Sequence, residues 1–299
     1  MIVDLPDTTT TAVNKKLDEL REKIGAVTMG RVLTLIIVPD SETMVEESID
    51  AANDASHEHP SRIIVTMRGD PYADEPRLDA QLRAGGDAGS GEVVVLRLSG
   101  PLAGHAESVV TPFLLPDIPV VAWWPDIAPA VPAQDPLGKL AIRRITDATN
   151  GIDPLSAIKS RLPGYTAGDT DLAWSRITYW RALLTSAVDE PIVSALVSGL
   201  RTEPALDILA GWLASRIDGP VRRAVGELRV ELERPSENIV LSRPQEGITA
   251  TLSRTAKPDA LVPLARRVVG ECLAEDLRRL DADEIYFAAL EGIKKVQYV

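Results

Sequence analysis

Residues 92–125 read EVVVLRLSGPLAGHAESVVTPFLLPDIPVVAWWP and give the pattern strand, helix, strand. Residues 93–98 form a β-branched, apolar run of the kind found in strands that are buried on both faces. Residues 120–124 form a second such run, and residues 108–115 between them have helix-compatible apolar spacing. A unit this compact predicts two parallel strands joined by a right-handed crossover.

Two tryptophans, Trp123 and Trp124, end the second of these strands. In an open α/β sheet, ligands and partners meet the carboxyl ends of the strands, so this end is a candidate site. Neighbouring residues of a strand point to opposite faces. We therefore expect one ring in the core and the other facing outward or lying beneath a covering element. The alternative is a hydrophobic plug at the end of the sheet.

Composition and charge exclude several classes of partner. The 299 residues carry a net charge of −12, which argues against nucleic acid and anionic membrane surfaces. No apolar run approaches the roughly 20 residues that span a bilayer, and the start lacks the pattern of a signal peptide. We expect a cytoplasmic protein. Cys272 is the only cysteine, which excludes an intrachain disulfide and a cysteine-cluster metal site.

The first half of the chain repeats the strand–helix–strand pattern. Residues 32–38 and 62–67 read as strands around a helix that Ser41 can cap. Residues 77–84 alternate between apolar and polar and lead through a glycine-rich connection into the strand at residue 93, which predicts a hairpin. These elements predict an α/β domain over residues 1–163, with a mixed sheet flanked by helices.

The second half predicts an α+β domain over residues 164–299. The GDTD stretch (168–171) is expected to open a helix that Thr170 or Asp171 can cap. Residues 226–253 alternate as a three-strand antiparallel meander with Ile248 facing inward. A helix over residues 264–280 is expected to cover the apolar face of the meander. Cys272 lies on the apolar stripe of that helix and is expected to be buried.

Four residues are candidates for binding a partner: Trp124, Asp171, Trp174 and Arg181. Trp174 and Arg181 are seven residues apart on one helical stripe, and tryptophan and arginine are enriched at interface hot spots. The alternative for Trp174 is packing along the other domain. Asp169 and Asp171 allow a metal or sugar-hydroxyl site, but a helix cap explains them at less cost.

Catalytic motifs are missing from the sequence. It holds no G-x-S-x-G, H-E-x-x-H, Walker A or G-x-G-x-x-G pattern. His57 and His59 lack a third ligand for zinc. The connection from Gly85 to Gly91 leads into a strand, whereas phosphate-binding loops lead into a helix. We expect no cofactor, and a binding or regulatory role is favoured over catalysis.

Eight stretches together resemble one family. They are AANDAS (51–56), HP (59–60), LDAQ (78–81), GGDAG (85–89), LLPDIPVVAWWP (114–125), RRITD (143–147), GDTDLAW (168–174) and EDLRRLD (275–281). On these residues the chain resembles, over nearly its whole length, the bacterial glucose-6-phosphate dehydrogenase assembly proteins, the OpcA family.

The resemblance implies a cytosolic, non-catalytic effector. Such a protein binds glucose-6-phosphate dehydrogenase and supports its assembly or activation at the entry to the oxidative pentose phosphate pathway. Some relatives are rich in cysteine and respond to thiol redox, but a single Cys272 excludes an intramolecular dithiol switch here. A further alternative is a chaperone that is absent from the finished enzyme.

An enzyme or sensor for a sugar phosphate is the competing hypothesis. Its pocket would lie near the connection from Gly85 to Gly91 or at the strand end formed by Trp123 and Trp124.

Overall fold

The computed structural model describes residues 1–24, 31–84, 92–255 and 257–299. The chain divides into two compact units. The first consists of Met1–Thr146 and Val269–Ala282, and the second of Asp147–Val268 and Asp283–Val299. The boundary predicted at residue 163 lies within the second unit, and the division into domains 1–163 and 164–299 stays a prediction.

The described helices and strands follow one another in the order expected of a mixed α/β protein. Up to Thr146 they are β1 (Ile2–Leu5), α1 (Thr10–Ile24), β2 (Leu33–Ile37), α2 (Glu42–Ser56), β3 (Ser61–Arg68), β4 (Arg77–Ala84), β5 (Glu92–Ser99), α3 (Ala106–Val110), β6 (Val120–Trp124) and β7 (Arg143–Thr146). From Asp147 they are α4 (Pro154–Ser160), β8 (Asp169–Asp171), α5 (Leu172–Arg176), α6 (Thr178–Ala187), β9 (Ser194–Gly199), α7 (Pro204–Ala214), β10 (Val221–Val225), β11 (Arg229–Glu233), β12 (Ile239–Ser242), β13 (Thr249–Arg254), β14 (Lys257–Pro263), α8 (Val269–Arg278), α9 (Glu284–Gly292) and β15 (Gln297–Tyr298). Among the described residues, no helix is both long and apolar enough to cross a bilayer.

The first unit is built on a mixed sheet, as the sequence predicts. Its strands pair in the order β1-β4-β5-β3-β2-β6-β7. β5, β3, β2, β6 and β7 run parallel, whereas β4 is antiparallel to both β5 and β1. The antiparallel pairing of β4 with β5 confirms the hairpin. β5 and β6 run in the same direction, but β3 and β2 lie between them.

Local sequence sets the limits of the helices in this unit. Ser41 caps α2 by accepting a hydrogen bond from the Met44 N–H at 3.3 Å, as predicted. The helix expected over residues 108–115 is shorter. α3 ends at Val110, and a 3₁₀ turn, Thr111–Phe113, follows it. Pro112 is the physical reason, because proline has no N–H to donate and its ring clashes with the preceding turn.

The second unit contains a sheet in the order β14-β13-β12-β11-β9-β10-β15. The antiparallel meander of β11, β12 and β13 is confirmed. β9, β10 and β14 were not expected from the sequence. The expectation for Ile248 was wrong, because this side chain precedes β13 and is 72% exposed.

The expectation that a helix over residues 264–280 covers the meander was also wrong. α8 belongs to the first unit and lies against α2. There Gly270 comes so close that a Cβ atom on it would stand 2.9 Å from the Cβ of Asp54. The amphipathic pattern predicts that α8 buries one face, but it does not say against which neighbour.

The meander packs instead against α7 and α9. One core cluster joins apolar residues of these helices to those of the strands; among its members are Leu206, Leu209, Leu213, Val230, Leu241, Tyr286 and Leu290. α7 and α9 meet backbone to backbone, because a Cβ on Gly211 would lie 2.3 Å from the carbonyl oxygen of Ala289. Glycine is therefore required at this crossing.

A buried ion pair fastens α8 to β7. Arg143 donates from Nη2 to Oδ1 of Asp276 at 2.7 Å and from Nη1 to the carbonyl of Asp281 at 3.0 Å. Both charged side chains of the pair are buried. Cys272 lies on the same helix and is buried, as the sequence predicts.

The carboxyl edge of the parallel strands is closed by a side chain of the chain itself. The strand order reverses between β2 and β6, which is where open α/β sheets place their ligands. There the Asp126 carboxylate accepts from the Asp40 N–H at 3.1 and 3.2 Å. Burial raises the pKa of Asp126, and hydrogen bonds from backbone N–H groups oppose this effect.

The buried pair gives a first prediction. Asp276→Asn leaves the Arg143 guanidinium buried without its counter-charge, and breaking such a pair costs about 3–5 kcal/mol. We expect a correspondingly lower free energy of unfolding in urea denaturation. Arg278→Ala is the control, because its ion pair with Glu58 is exposed, and exposed pairs contribute about 0–1 kcal/mol. Equal, small losses in both variants would contradict the assignment.

A second prediction concerns Asp126 and pH. Because its folded-state pKa is raised, the folded chain keeps this proton at pH values where the unfolded chain has released it. Stability from this group therefore falls as the pH rises above the ordinary value of 3.8. Asp126→Asn keeps an acceptor oxygen for the Asp40 N–H but removes the ionisation.

The measurement is the melting temperature of parent and variant at about pH 4, near the ordinary carboxyl pKa, and at about pH 7, well above it. We expect the melting temperature of Asp126→Asn to gain on that of the parent as the pH rises. Asp50→Asn, on the exposed face of α2, controls for the loss of a surface carboxylate. An unchanged difference between the two pH values would refute the prediction.

Candidate functional site

The GDTD segment acts as a helix cap. Asp171 is fully buried, and its two carboxylate oxygens accept from the Ala173 N–H at 2.9 Å and the Ala148 N–H at 3.0 Å. Asp169 accepts from the Thr166 N–H at 2.8 Å. The cap interpretation is thus confirmed for Asp171. Within the described ranges, no group of three or more histidine, cysteine or acidic side chains is placed to hold a metal ion.

The helix predicted after this cap is two helices. Ile177 separates α5 from α6, and its φ of −97° and ψ of 5° interrupt the regular turn. The predicted apolar face still forms. Ala173, Ile177, Trp180 and Leu184 are all buried in the core of the second unit.

Trp174 and Arg181 lie together, but they do not form the surface pair expected from the sequence. The Arg181 guanidinium carbon stands 3.5 Å from the centre of the Trp174 ring. The ring itself is only 3% exposed, and its Nε1 donates to Oδ2 of Asp283 at 2.8 Å. The Trp174 ring is therefore a core element, and half-buried Arg181 covers it.

Asp283 connects this cluster to the C-terminal helix. Its Oδ1 accepts from the N–H groups of Ile285 and Tyr286 at 2.9 and 3.0 Å and so caps α9. Its Oδ2 receives the Trp174 hydrogen bond. The Trp174 and Tyr286 rings are in contact, with 5.9 Å between their centroids and an angle of 56° between their planes. A single carboxylate therefore sets the position of α5 relative to α9.

A second carboxylate braces α5 from the other side. Arg176 donates to both oxygens of Asp147 at 2.7 and 2.8 Å and to the Thr149 hydroxyl at 3.0 Å. Asp147 is buried, and two-pronged arginine–carboxylate pairs fix geometry more strictly than single bonds do. Trp174 at the end of the GDTDLAW segment and Arg176 just beyond it are thus each bound to a carboxylate.

The remaining predicted residues are also internal. Trp123 and Trp124 are both buried, and Trp124 belongs to the core of the first unit. Of the four residues predicted to bind a partner, Trp124, Asp171 and Trp174 are buried and Arg181 is half-buried. The connection from Gly85 to Gly91, proposed as a pocket, lies outside the described residues.

Sequence reasoning missed a large groove in the second unit. It has a volume of about 800 Å³, and we call it the second-unit groove. Its walls are formed by side chains from the end of α6, the segment after it, α7 and β11: Leu184, Thr185, Val188, Ile192, Trp212 and Leu232. The sequence signal for this groove is a pair of apolar residues, Val188 and Ile192, in the short segment that follows α6.

The rim of the groove is mainly acidic. Asp189, Glu190 and Asp218 line it, against the single guanidinium of Arg216. Arg234 lies buried behind the rim and donates to Asp189, and its Nε stands 3.7 Å from Glu190. The arrangement offers an apolar channel bordered by carboxylates, which suits a partner with apolar and basic side chains.

Comparison with solved structures gives a weak likeness. One similar structure is described as "Trehalose-6-phosphate from E. coli bound with UDP-2-fluoro glucose", with 8% sequence identity and a TM-score of 0.26. The chain spans 64% of that structure's length, and 64% of the chain is covered. A likeness at this level carries no argument about fold or function. A search of curated protein sequences finds no match.

Comparison with protein families is decisive. Residues 52–162 match the family model for the N-terminal domain of a protein described as the glucose-6-phosphate dehydrogenase subunit. Residues 167–290 match the model for the C-terminal domain of that same protein. The two matches follow each other along the chain and take in most of the stretches that carry the resemblance, including GDTDLAW. The chain belongs to the glucose-6-phosphate dehydrogenase assembly protein family, OpcA.

Proposed function

We propose that this chain is a cytoplasmic, non-catalytic effector that binds glucose-6-phosphate dehydrogenase and activates it in the oxidative pentose phosphate pathway. The observation that supports this most is the pair of family matches over residues 52–162 and 167–290, both described as parts of a subunit of that dehydrogenase. The groove of the second unit supports a binding role.

The second-unit groove is the proposed docking site, and its occupant is an apolar segment of the dehydrogenase flanked by basic residues. The apolar walls suit buried anchor side chains, which carry most of the energy of an interface. The carboxylates of the rim favour basic flanks.

Arg181 extends this surface along α6. It precedes Thr185 by four residues, so these two side chains share one face of α6. We assign Trp174 and Asp171 an indirect part: Trp174 supports Arg181, and Asp171 caps the helix that carries Trp174. Trp124, in the core of the first unit, stays a prediction as a partner-binding residue.

The basic test needs both proteins. The purified chain alone should not oxidise glucose 6-phosphate, and it should raise the rate of glucose-6-phosphate dehydrogenase when the two are mixed. Mass measurement at equilibrium should show a complex of both proteins. Turnover by the chain alone, or absence of any complex, would overturn the proposal. A transient complex during assembly only would identify a chaperone.

Thr185→Arg tests the groove. Thr185 is exposed and lines it, so a long cation there blocks the channel and repels basic flanks without disturbing the core. We expect the dissociation constant for the dehydrogenase to rise about tenfold or more, which is ~1.4 kcal/mol. Ser186→Arg is the matched control, because Ser186 is the exposed neighbour on α6 outside the groove lining. Equal effects of both variants would place the partner elsewhere.

Arg181→Ala tests the extension of the surface. Loss of an anchor of this kind typically costs about 2 kcal/mol, so we expect binding to weaken roughly thirtyfold with little change in melting temperature. Trp174→Ala should instead destabilise the fold by about 3–5 kcal/mol, because it truncates a buried aromatic ring. Arg279→Ala, an exposed arginine of the first unit, is the control. If Arg181→Ala binds like the parent, Arg181 lies outside the interface.

A further inference from the structure

A second, smaller cavity lies in the second unit, with a volume of about 210 Å³. The first turn of α7, strand β10 and the C-terminal segment form it, and we call it the α7–β10 cavity. Its polar lining comes from Arg201, Asp207, Arg223 and Tyr298. None of its lining residues lines the second-unit groove. It is therefore a separate feature from the proposed docking site.

Two polar atoms in this lining are buried without a hydrogen-bond partner among the described residues. They are Oδ2 of Asp207 and Nε of Arg223, in side chains of residues that are only 1% and 4% exposed. Arg223 Nε stands 3.6 Å from Oδ1 of Asp207, which is too long for a hydrogen bond. Burying such atoms without partners costs free energy, so the site suits a ligand that supplies them.

Backbone contacts hold the arginine in this position. Arg223 Nη1 donates to the carbonyl oxygens of Gly199 and Ala224, and Nη2 donates to that of Leu200. These bonds use the end of the guanidinium and fix its plane. Rotation of Arg223 to close the gap to Asp207 would break them, so the gap is a stable feature.

Further cations surround the cavity. Lys159 Nζ lies 4.0 Å from the centre of the Tyr298 ring, and Arg201 is exposed at the lining. With Arg223, three cationic side chains lie near the Asp207 carboxylate, and Arg201 also acts on the Asp153 carboxylate. Burial raises the pKa of Tyr298, and the Asp207 charge and a hydrogen bond to the Asp207 carboxylate add to this, so the hydroxyl keeps its proton.

Water alone does not account for this arrangement. A volume of about 210 Å³ corresponds to roughly seven waters at ~30 Å³ each, and two or three of them would satisfy the two orphaned atoms. Water adds no counter-charge for Lys159 or Arg201. An anion with hydroxyl groups meets both requirements, because the cations attract its charge and Asp207 accepts from its hydroxyls.

We propose that the α7–β10 cavity binds a small hydroxylated anion, of which a phosphorylated sugar is the representative class. Its phosphoryl group faces Arg201 and Lys159, and a hydroxyl group lies between Asp207 Oδ2 and Arg223 Nε. The cavity is smaller than the roughly 300–1,000 Å³ of drug-sized sites, which limits the ligand to about the size of a single sugar. The proposal goes beyond the proposed function and does not depend on it.

The test is calorimetric titration of the full chain alone with glucose 6-phosphate, glucose and inorganic phosphate. We expect glucose 6-phosphate to bind at least tenfold more tightly than either of the others. Arg201→Ala and Asp207→Asn should each weaken its binding about fivefold or more, because the first removes a contact to the phosphoryl group and the second weakens the acceptor for the hydroxyl group. Arg222→Ala is the matched control: Arg222 is exposed, precedes Arg223 in β10 and therefore points to the opposite face of the sheet.

Several outcomes would overturn the proposal. They are no binding of glucose 6-phosphate at millimolar concentration, phosphate binding as tightly as the sugar phosphate, or an equal effect of Arg222→Ala and Arg201→Ala. Arg201 is exposed, so its variant keeps the fold even if Asp207→Asn does not. No dehydrogenase is present in this titration, so its result is separate from that of the association test.

Discussion

The carboxylate of Asp283 fixes the helix arrangement on which both candidate surfaces of the second unit depend. One of its oxygens accepts from Trp174 and the other caps α9. α9 in turn meets α7 at Gly211 and Gly292, where the backbones come too close for any side chain. α7 lines the second-unit groove with Trp212 and the α7–β10 cavity with Asp207. A displacement of Asp283 would therefore change the lining of both the second-unit groove and the α7–β10 cavity.

The first unit has the architecture of a ligand-binding sheet, but a carboxylate of the chain itself lies where such sheets usually bind a ligand. Where the strand order reverses, the Asp126 carboxylate accepts from the Asp40 N–H at the start of α2. An anion at that position is what a helix N-terminus attracts. Because the chain supplies this anion itself, the crevice does not need an external one. This supports a unit that serves packing and recognition.

Patterns along the chain were sufficient for most elements of the first unit, but β1 was not predicted and α3 is shorter than expected. The buried run of β2, the cap at Ser41 and the alternation of β4 each depend on residues that are neighbours in the sequence, and all three were predicted. β9 and β10 were missed because Ser194, Gly199 and Arg223 dilute their apolar pattern. The partner of α8 was assigned wrongly, because amphipathicity gives a buried face but not the surface that covers it.

The candidate site was harder to predict for a related reason. Trp174 and Arg181 were correctly placed side by side by helical spacing, yet burial of the ring depends on Asp283, more than a hundred residues away in sequence. The second-unit groove and the α7–β10 cavity are gaps between elements that are distant in the chain. No periodicity records a gap, so such features become visible only when the elements have been assembled.

Thermodynamic linkage relates the affinity of the second-unit groove for the dehydrogenase to the affinity of the α7–β10 cavity for a small anion. Asp207 lies in the first turn of α7, and Trp212 and Leu213 near its end, so one helix contributes to both. A small anion in the α7–β10 cavity changes the affinity for the dehydrogenase only as far as it binds the free and the bound chain differently. The dehydrogenase must then change the affinity for the anion by the same factor. Equal factors measured in the two directions would establish coupling between the sites, and a factor of one in both would show that α7 carries two independent surfaces.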